Sequence, residues 1–175
     1  MPTDLRYPIG RFAHPASSTA AEREARIANI AALPERLGAA VLGLSDEQLD
    51  TPYRPDGWTV RQVTHHVADS HVNAYCRIKL GLTEENPVIR PYAEDRWAML
   101  ADARMPVDVS LRLLAALHER WVMLLRATPP ADFGRPLTHP EGNVAFTVDA
   151  LVAMYDWHGR HHTAHVTELR KREGW

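Results

Sequence analysis

Apolar residues recur at helical spacing in four long stretches of this chain, and the breaks between them are rich in proline and glycine. Ile27, Ile30, Leu37, Val41 and Leu44 form the first stripe, opened by Thr19 with Glu22 three residues on, the pattern of a capping box. Pro34 falls inside that stripe and should kink or split the helix, because proline lacks the N–H and its ring crowds the preceding turn. Ser45-Asp46-Glu47 caps a short turn, and the proline- and glycine-bearing run from Leu49 to Gly57 is a loop. Thr59 and Gln62 make a second capping box for a helix to about Leu80, whose stripe is Val60, Val63, Val67, Ala74 and Ile78. A long connection over 81–92 and a short helix from Glu94 to Ala101 follow. After Pro106, Leu111, Leu114, Leu117, Trp121 and Leu124 or Leu125 form the third stripe, which stops before Thr128-Pro129-Pro130. Leu137 to Phe146, around Pro140-Glu141-Gly142-Asn143, predicts a hairpin-like turn, with no run long or alternating enough for a sheet. Thr147 caps the last helix, which runs to about Arg170, and residues 1–17 form an irregular arm. The pattern predicts one all-α bundle domain over 1–175, with connections long enough that at least one crosses over.

The last helix carries the chemistry. His158, His161, His162 and His165 fall within eight residues, and the pairs His158/His162 and His161/His165 have the spacing that puts two imidazoles on one helix face. The apolar stripe here is Val148, Leu151, Val152, Tyr155, Val166 and Leu169. At about 100° per residue, His162 lies about 20° and His158 about 60° from Tyr155, while His165 and His161 fall about 80° and 120° away. His158 and His162 therefore point inward, filling the gap between Tyr155 and Val166, and the other two sit on the flank. Two imidazoles buried on successive turns need partners, and a metal ion would satisfy both. On the second long helix, His66 lies about 60° from Val63, at the edge of the stripe, with Asp69 one turn on and His65 about 160° away in solvent. His66 is the third ligand this pattern predicts, leaving an open coordination position as in catalytic sites. Asp69 would orient His66 or flank that position as a base. His71 and His118 lack a histidine four residues away and read as structural or solvated.

Composition narrows the setting. With 20 Lys and Arg against 22 Asp and Glu, the net charge of −2 gives no electrostatic case for a nucleic-acid or anionic membrane partner. The single cysteine, Cys76, excludes an internal disulfide framework and fits a reducing cytosol. No signal peptide and no 18-residue apolar run is present, so a cytoplasmic protein is expected.

The residues around these histidines also carry a resemblance. Tyr7-Pro8-Ile9-Gly10, the run Leu49 to Arg54, Gly57-Trp58-Thr59-Val60-Arg61-Gln62-Val63 into His65-His66-Val67-Ala68-Asp69-Ser70-His71, Lys79-Leu80, Ile89-Arg90-Pro91-Tyr92, His139-Pro140, Trp157-His158 to His165 and Gly174-Trp175 together resemble the DinB-like superfamily, in its YfiT-like branch of metal-dependent hydrolases. The resemblance implies a four-helix bundle with one crossover connection, a divalent ion on His66, His158 and His162, and a homodimer. It implies two chemistries: hydrolysis, or transfer of a low-molecular-weight thiol such as bacillithiol to an electrophile. Zn²⁺ heads the expected ions, with Ni²⁺ or Fe²⁺ able to use the same donors. An ion of this kind activates water for attack on a small-molecule carbonyl or amide, and equally deprotonates a thiol. Arg54, Arg61 and Arg90, all in the matching segments, are the candidate binders of an anionic thiol or substrate. The competing expectation is a non-catalytic, metal-dependent ligand-binding or stress-related module, in which the ion holds the bundle together.

Overall fold

A computed structural model describes residues 4–15, 17–140 and 144–175. In chain order the helices are α1 (Ala20–Val41), α2 (Asp46–Leu49), α3 (Val60–Thr83), α4 (Glu94–Trp97), α5 (Val107–Ala127) and α6 (Val148–Glu173), with a hairpin of β1 (Pro136–His139) and β2 (Val144–Thr147) before α6. The starts follow local chemistry. Thr19 and Glu22, Ser45 and Gln48, and Thr59 and Gln62 form reciprocal capping boxes, and Thr147 Oγ1 accepts from the Ala150 amide at 3.1 Å. At the other end of α6, Gly174 takes the left-handed conformation that closes the helix (φ 73°).

The four long helices make a bundle in which α1 and α3 each pack on α5 and α6. Thus α1 and α3 hold opposite corners, as do α5 and α6. The connections over 42–59 and 128–147 therefore both cross between diagonal corners, and only 84–106 joins neighbours. No helix is long and apolar enough to cross a membrane among the described residues.

Three expectations need correction. First, α1 is unbroken through Pro34. The proline removes the amide that would bond the Ile30 carbonyl, but His118 Nδ1 approaches that carbonyl at 2.6 Å and takes the amide's place. Second, a small antiparallel sheet exists, with Leu137 opposite Phe146 and Thr138 opposite Ala145. Its strands are four residues each, too short to leave a period in the sequence. The hairpin is held from outside: fully buried Leu137 packs on Gly81, where a Cβ would lie 2.9 Å from its Cδ2. Arg135 Nε also donates to the Gly81 carbonyl at 2.8 Å. The predicted turn residues Glu141, Gly142 and Asn143 lie outside the described residues. Third, His65 is not solvated. It is buried between α3 and α5, with Nδ1 2.7 Å from Ser110 Oγ and Nε2 2.9 Å from the Met105 carbonyl. A helix buried against two neighbours has more than one inward face, and a single-stripe reading overlooks the second.

The apolar core falls into blocks. Ile78, Trp121, Leu125, Leu151 and Tyr155 pack at one end, and Val60, Val63, Val166 and Leu169 at the other. The gap between Tyr155 and Val166 on α6 is the level at which the histidines meet.

Candidate metal centre

At that level α3 contributes His66 and α6 contributes His158 and His162. One ring nitrogen from each lies within 4.8 Å of the others, and the two closest, His66 Nε2 and His158 Nε2, are 3.2 Å apart. Two nitrogens on one tetrahedral Zn²⁺, with Zn–N bonds of about 2.0–2.1 Å, would sit about 3.4 Å apart, so the spacing suits a shared ion. His66 and His162 are buried and His158 is partly buried. Burial pushes the His66 pKa down to about 4 and those of His158 and His162 well below the usual value. All three rings are therefore neutral at pH 7, the form that donates to a metal. No Asp or Glu belongs to the group. Trp58 covers it from the side, its ring 4.5 Å from that of His66.

Further histidines surround this tripod. His71 Nε2 lies 3.2 Å from His158 Nδ1, and His71 Nδ1 lies 3.0 Å from His118 Nε2. On the other side, His165 Nδ1 lies 3.3 Å from His162 Nδ1, and His165 Nε2 lies 3.2 Å from the Arg6 carbonyl. His71 and His118 are thus buried partners of the site. Their positions were readable: His71 falls about 80° from Val63, beside the α3 stripe, and His118 lies one turn from both Leu114 and Trp121. The expected flank positions of His161 and His165 are corrected too, since both are buried. Tyr53 stacks on His165 at 3.9 Å and Trp157 on His161 at 4.3 Å. The N-terminal arm covers the same side, where the Gly10 carbonyl accepts from Trp157 Nε1 at 3.2 Å. A helical wheel cannot see an arm that returns from residues 4–15. His161, His162 and His165 form a second group able to hold an ion by spacing alone.

Asp69 is placed differently from expectation. No hydrogen bond joins it to His66 among the described residues; its carboxyl is raised above the usual range by burial and then by the charge of Asp102. Nor are the three arginines brought together. Arg54 lines a cleft of about 540 Å³ with Tyr7, Tyr53, Trp58 and His162, and Arg6 of the arm joins it there. Arg61 is committed elsewhere: buried itself, it pairs with Asp50 at 2.7 Å and Asp46 at 2.8 Å and lines a separate hollow beside Gln62 and Ala98. Arg90 is exposed, and its carbonyl accepts from Arg77 at 2.8 Å.

The sequence profile of the DinB superfamily matches residues 29–166. A protein of Bacillus mycoides is 52% identical over 172 residues, covering 98% of this chain and 99% of its own, and one from Bacillus cereus strain 03BB102 matches to the same extent. Both carry the name "putative metal-dependent hydrolase". The solved structure of YfiT from Bacillus subtilis aligns with a TM-score of 0.96 at 46% identity, over 98% of this chain and 99% of that one. It is described as "a probable metal-dependent hydrolase with an unusual four-helix bundle topology".

Proposed function

The chain belongs to the DinB superfamily, and we propose that it is a hydrolase whose divalent ion sits on His66, His158 and His162. The observation that carries this reading is the convergence of three buried, neutral imidazoles, with two Nε2 atoms 3.2 Å apart and no carboxylate among them. Zn²⁺ suits such a donor set, and Ni²⁺ or Fe²⁺ could use it. When bound, the ion supplies Lewis acidity and lowers the pKa of water to about 7.

The chain's own residues would do the remainder. Three protein ligands leave room for water and substrate, which separates this reading from a purely structural site with four. His162 belongs both to the tripod and to the lining of the cleft, so a small molecule entering past Tyr53 and Trp58 arrives at the ligands. Arg54 at the same cleft would hold a carboxylate of that molecule, whereas Arg6 is already paired with Asp4 at 3.2 Å. Asp69 and Arg61 have no part in the proposed step. The protein is taken to work as a homodimer on a small-molecule carbonyl or amide.

Transfer of a low-molecular-weight thiol, of the bacillithiol kind, is the second reading. Its support is Arg54 beside the cleft, one of the three arginines first expected, since Arg6 there is already paired with Asp4. The discriminating experiment assays untagged, zinc-loaded protein on a panel of esters and amides, with and without added thiols. Cleavage without thiol, abolished by a chelator and restored by Zn²⁺, supports hydrolysis. Turnover of an electrophilic dye only when thiol is present would replace it with transfer. A stably loaded ion with no turnover in either assay would favour the non-catalytic module.

A further inference from the structure

Six of the ten histidines meet in the bundle as part of the tripod or of two chains leading from it, twice as many as three ligands require. We propose that the chains His118–His71–His158 and His165–His162 lock both α6 ligands in the Nδ1–H tautomer, so that each presents its Nε2 lone pair to the ion. This rests on the metal reading above and adds His71, His118 and His165 as positioning residues.

The direction of each chain is set at its outer end. A backbone carbonyl only accepts, so the nitrogen facing it must carry the proton. In the first chain that carbonyl belongs to Ile30, the one left without its helical amide by Pro34, and it takes the proton of His118 Nδ1 at 2.6 Å. A neutral imidazole has one N–H and one lone pair. His118 Nε2 is therefore an acceptor, and His71 Nδ1 must donate to it across 3.0 Å. His71 Nε2 is then the acceptor for His158 Nδ1–H at 3.2 Å. His158 Nε2 is left with its lone pair, at the point where it meets His66 Nε2. The second chain begins at the Arg6 carbonyl, which takes the proton of His165 Nε2. His165 Nδ1 then accepts from His162 Nδ1–H at 3.3 Å, and Nε2 is the nitrogen left for the ion. Reversing any link would set two N–H groups or two lone pairs against each other in a buried site, at a penalty of about 1–3 kcal/mol per unmatched group.

Metal-bound histidines usually donate their second N–H to a carboxylate, a carbonyl or water. Here the immediate acceptor for each α6 ligand is another neutral ring, and the carbonyl comes one or two rings further out. Among the described residues no carboxylate therefore accepts from Nδ1 of either α6 ligand, which would leave the ion's charge for water and substrate. The same logic excludes a simultaneous second ion on His161, His162 and His165, because a neutral His162 has only one lone pair to give. It also makes the arm part of the site through one carbonyl, that of Arg6.

The test is a long-range ¹H–¹⁵N spectrum of the histidine rings in the metal-free, full-length protein at pH 7.5, assigned with single His→Gln variants. His71, His118, His158 and His162 should show the Nδ1–H pattern and His165 the Nε2–H pattern. An Nε2–H pattern at His158 or His162, or averaging between tautomers there, overturns the proposal. Zinc titration supplies an independent measure that does not depend on the spectrum. His71→Phe and His165→Phe should each weaken binding by about 10–100-fold with one ion still bound per chain, and His71→Gln should recover part of the loss. Unchanged affinity in both Phe variants also overturns it, as does a stoichiometry of two in wild type. The wild-type spectrum stands even if a variant misfolds. Predicted tautomers in a wild type that binds no zinc would support the hydrogen-bond chains and reject the metal reading.

Discussion

Gly159→Ala is the substitution whose sign most sharply separates helix propensity from packing in this structure. At an exposed position inside a helix the change would stabilise the protein by about 0.8–1.0 kcal/mol, because glycine is the poorer helix former. Gly159 is not exposed. A Cβ built there meets Leu33 Cδ2 at 2.7 Å, Cδ1 at 3.0 Å and Cγ at 3.3 Å. Leu33 is itself buried with Leu37, Val67, Ala68 and Leu114, so its methyl groups can give way only toward the small cleft of about 170 Å³ that it lines with Gly159. Overpacking of this kind costs about 1–3 kcal/mol, which outweighs the propensity gain and leaves a net loss near 1 kcal/mol. The strain acts between α1 and α6, at the residue after His158 and one turn before His162. The ligands should therefore shift with the helix, and zinc affinity should fall along with stability. Urea unfolding of metal-free protein measures the first effect and zinc titration the second. Leu33→Val in the same chain should relieve part of both, since it removes a methylene at the contact. A Gly159→Ala protein more stable than wild type, with unchanged zinc affinity, would refute the argument that close helix approach builds this site.

Two further outcomes follow from the buried charges. Burial lowers the pKa of His66 and His118 from the usual 6.5 to about 4. The unfolded chain therefore takes up protons first, so metal-free stability is full above about pH 6.5 and falls as the pH drops toward 4. Each group contributes at most about 3 kcal/mol over that window. Urea midpoints that stay flat between pH 7.5 and 5 would contradict the assignment of these rings as buried and neutral. Arg61→Met should cost about 1 kcal/mol in unfolding free energy, a small figure because its partners Asp46 and Asp50 are solvent-exposed. It should leave zinc affinity and KM unchanged; a raised KM for an anionic substrate or thiol would return Arg61 to the binding site.

What the sequence made legible was whatever depends on one helix at a time. Capping boxes at Thr19 and Thr59, the long apolar stripes and the inward placement of His158 and His162 all follow from a single period read along one segment. The gap between Tyr155 and Val166 marked the level at which His66, His158 and His162 converge before any neighbour was known. Features set by other parts of the chain stayed hidden. His161 and His165 are buried by an arm more than 140 residues away in sequence, and His65 by a second packing partner of α3. Arg61 looked available because the sequence does not show that Asp46 and Asp50 turn toward it. Pro34 read as a helix breaker for the same reason: the side chain that replaces its missing amide comes from α5.

The central claim, one ion on His66, His158 and His162, is tested most directly by the metal content of untagged protein after reconstitution with Zn²⁺ and dialysis. Elemental analysis of wild type and of the His66→Ala, His158→Ala and His162→Ala variants is compared with circular dichroism to confirm that each variant is folded. The account predicts one zinc per wild-type chain and a loss of at least tenfold in affinity in each folded variant. A wild type that retains no stoichiometric metal, or variants that retain it as well as wild type does, would contradict it.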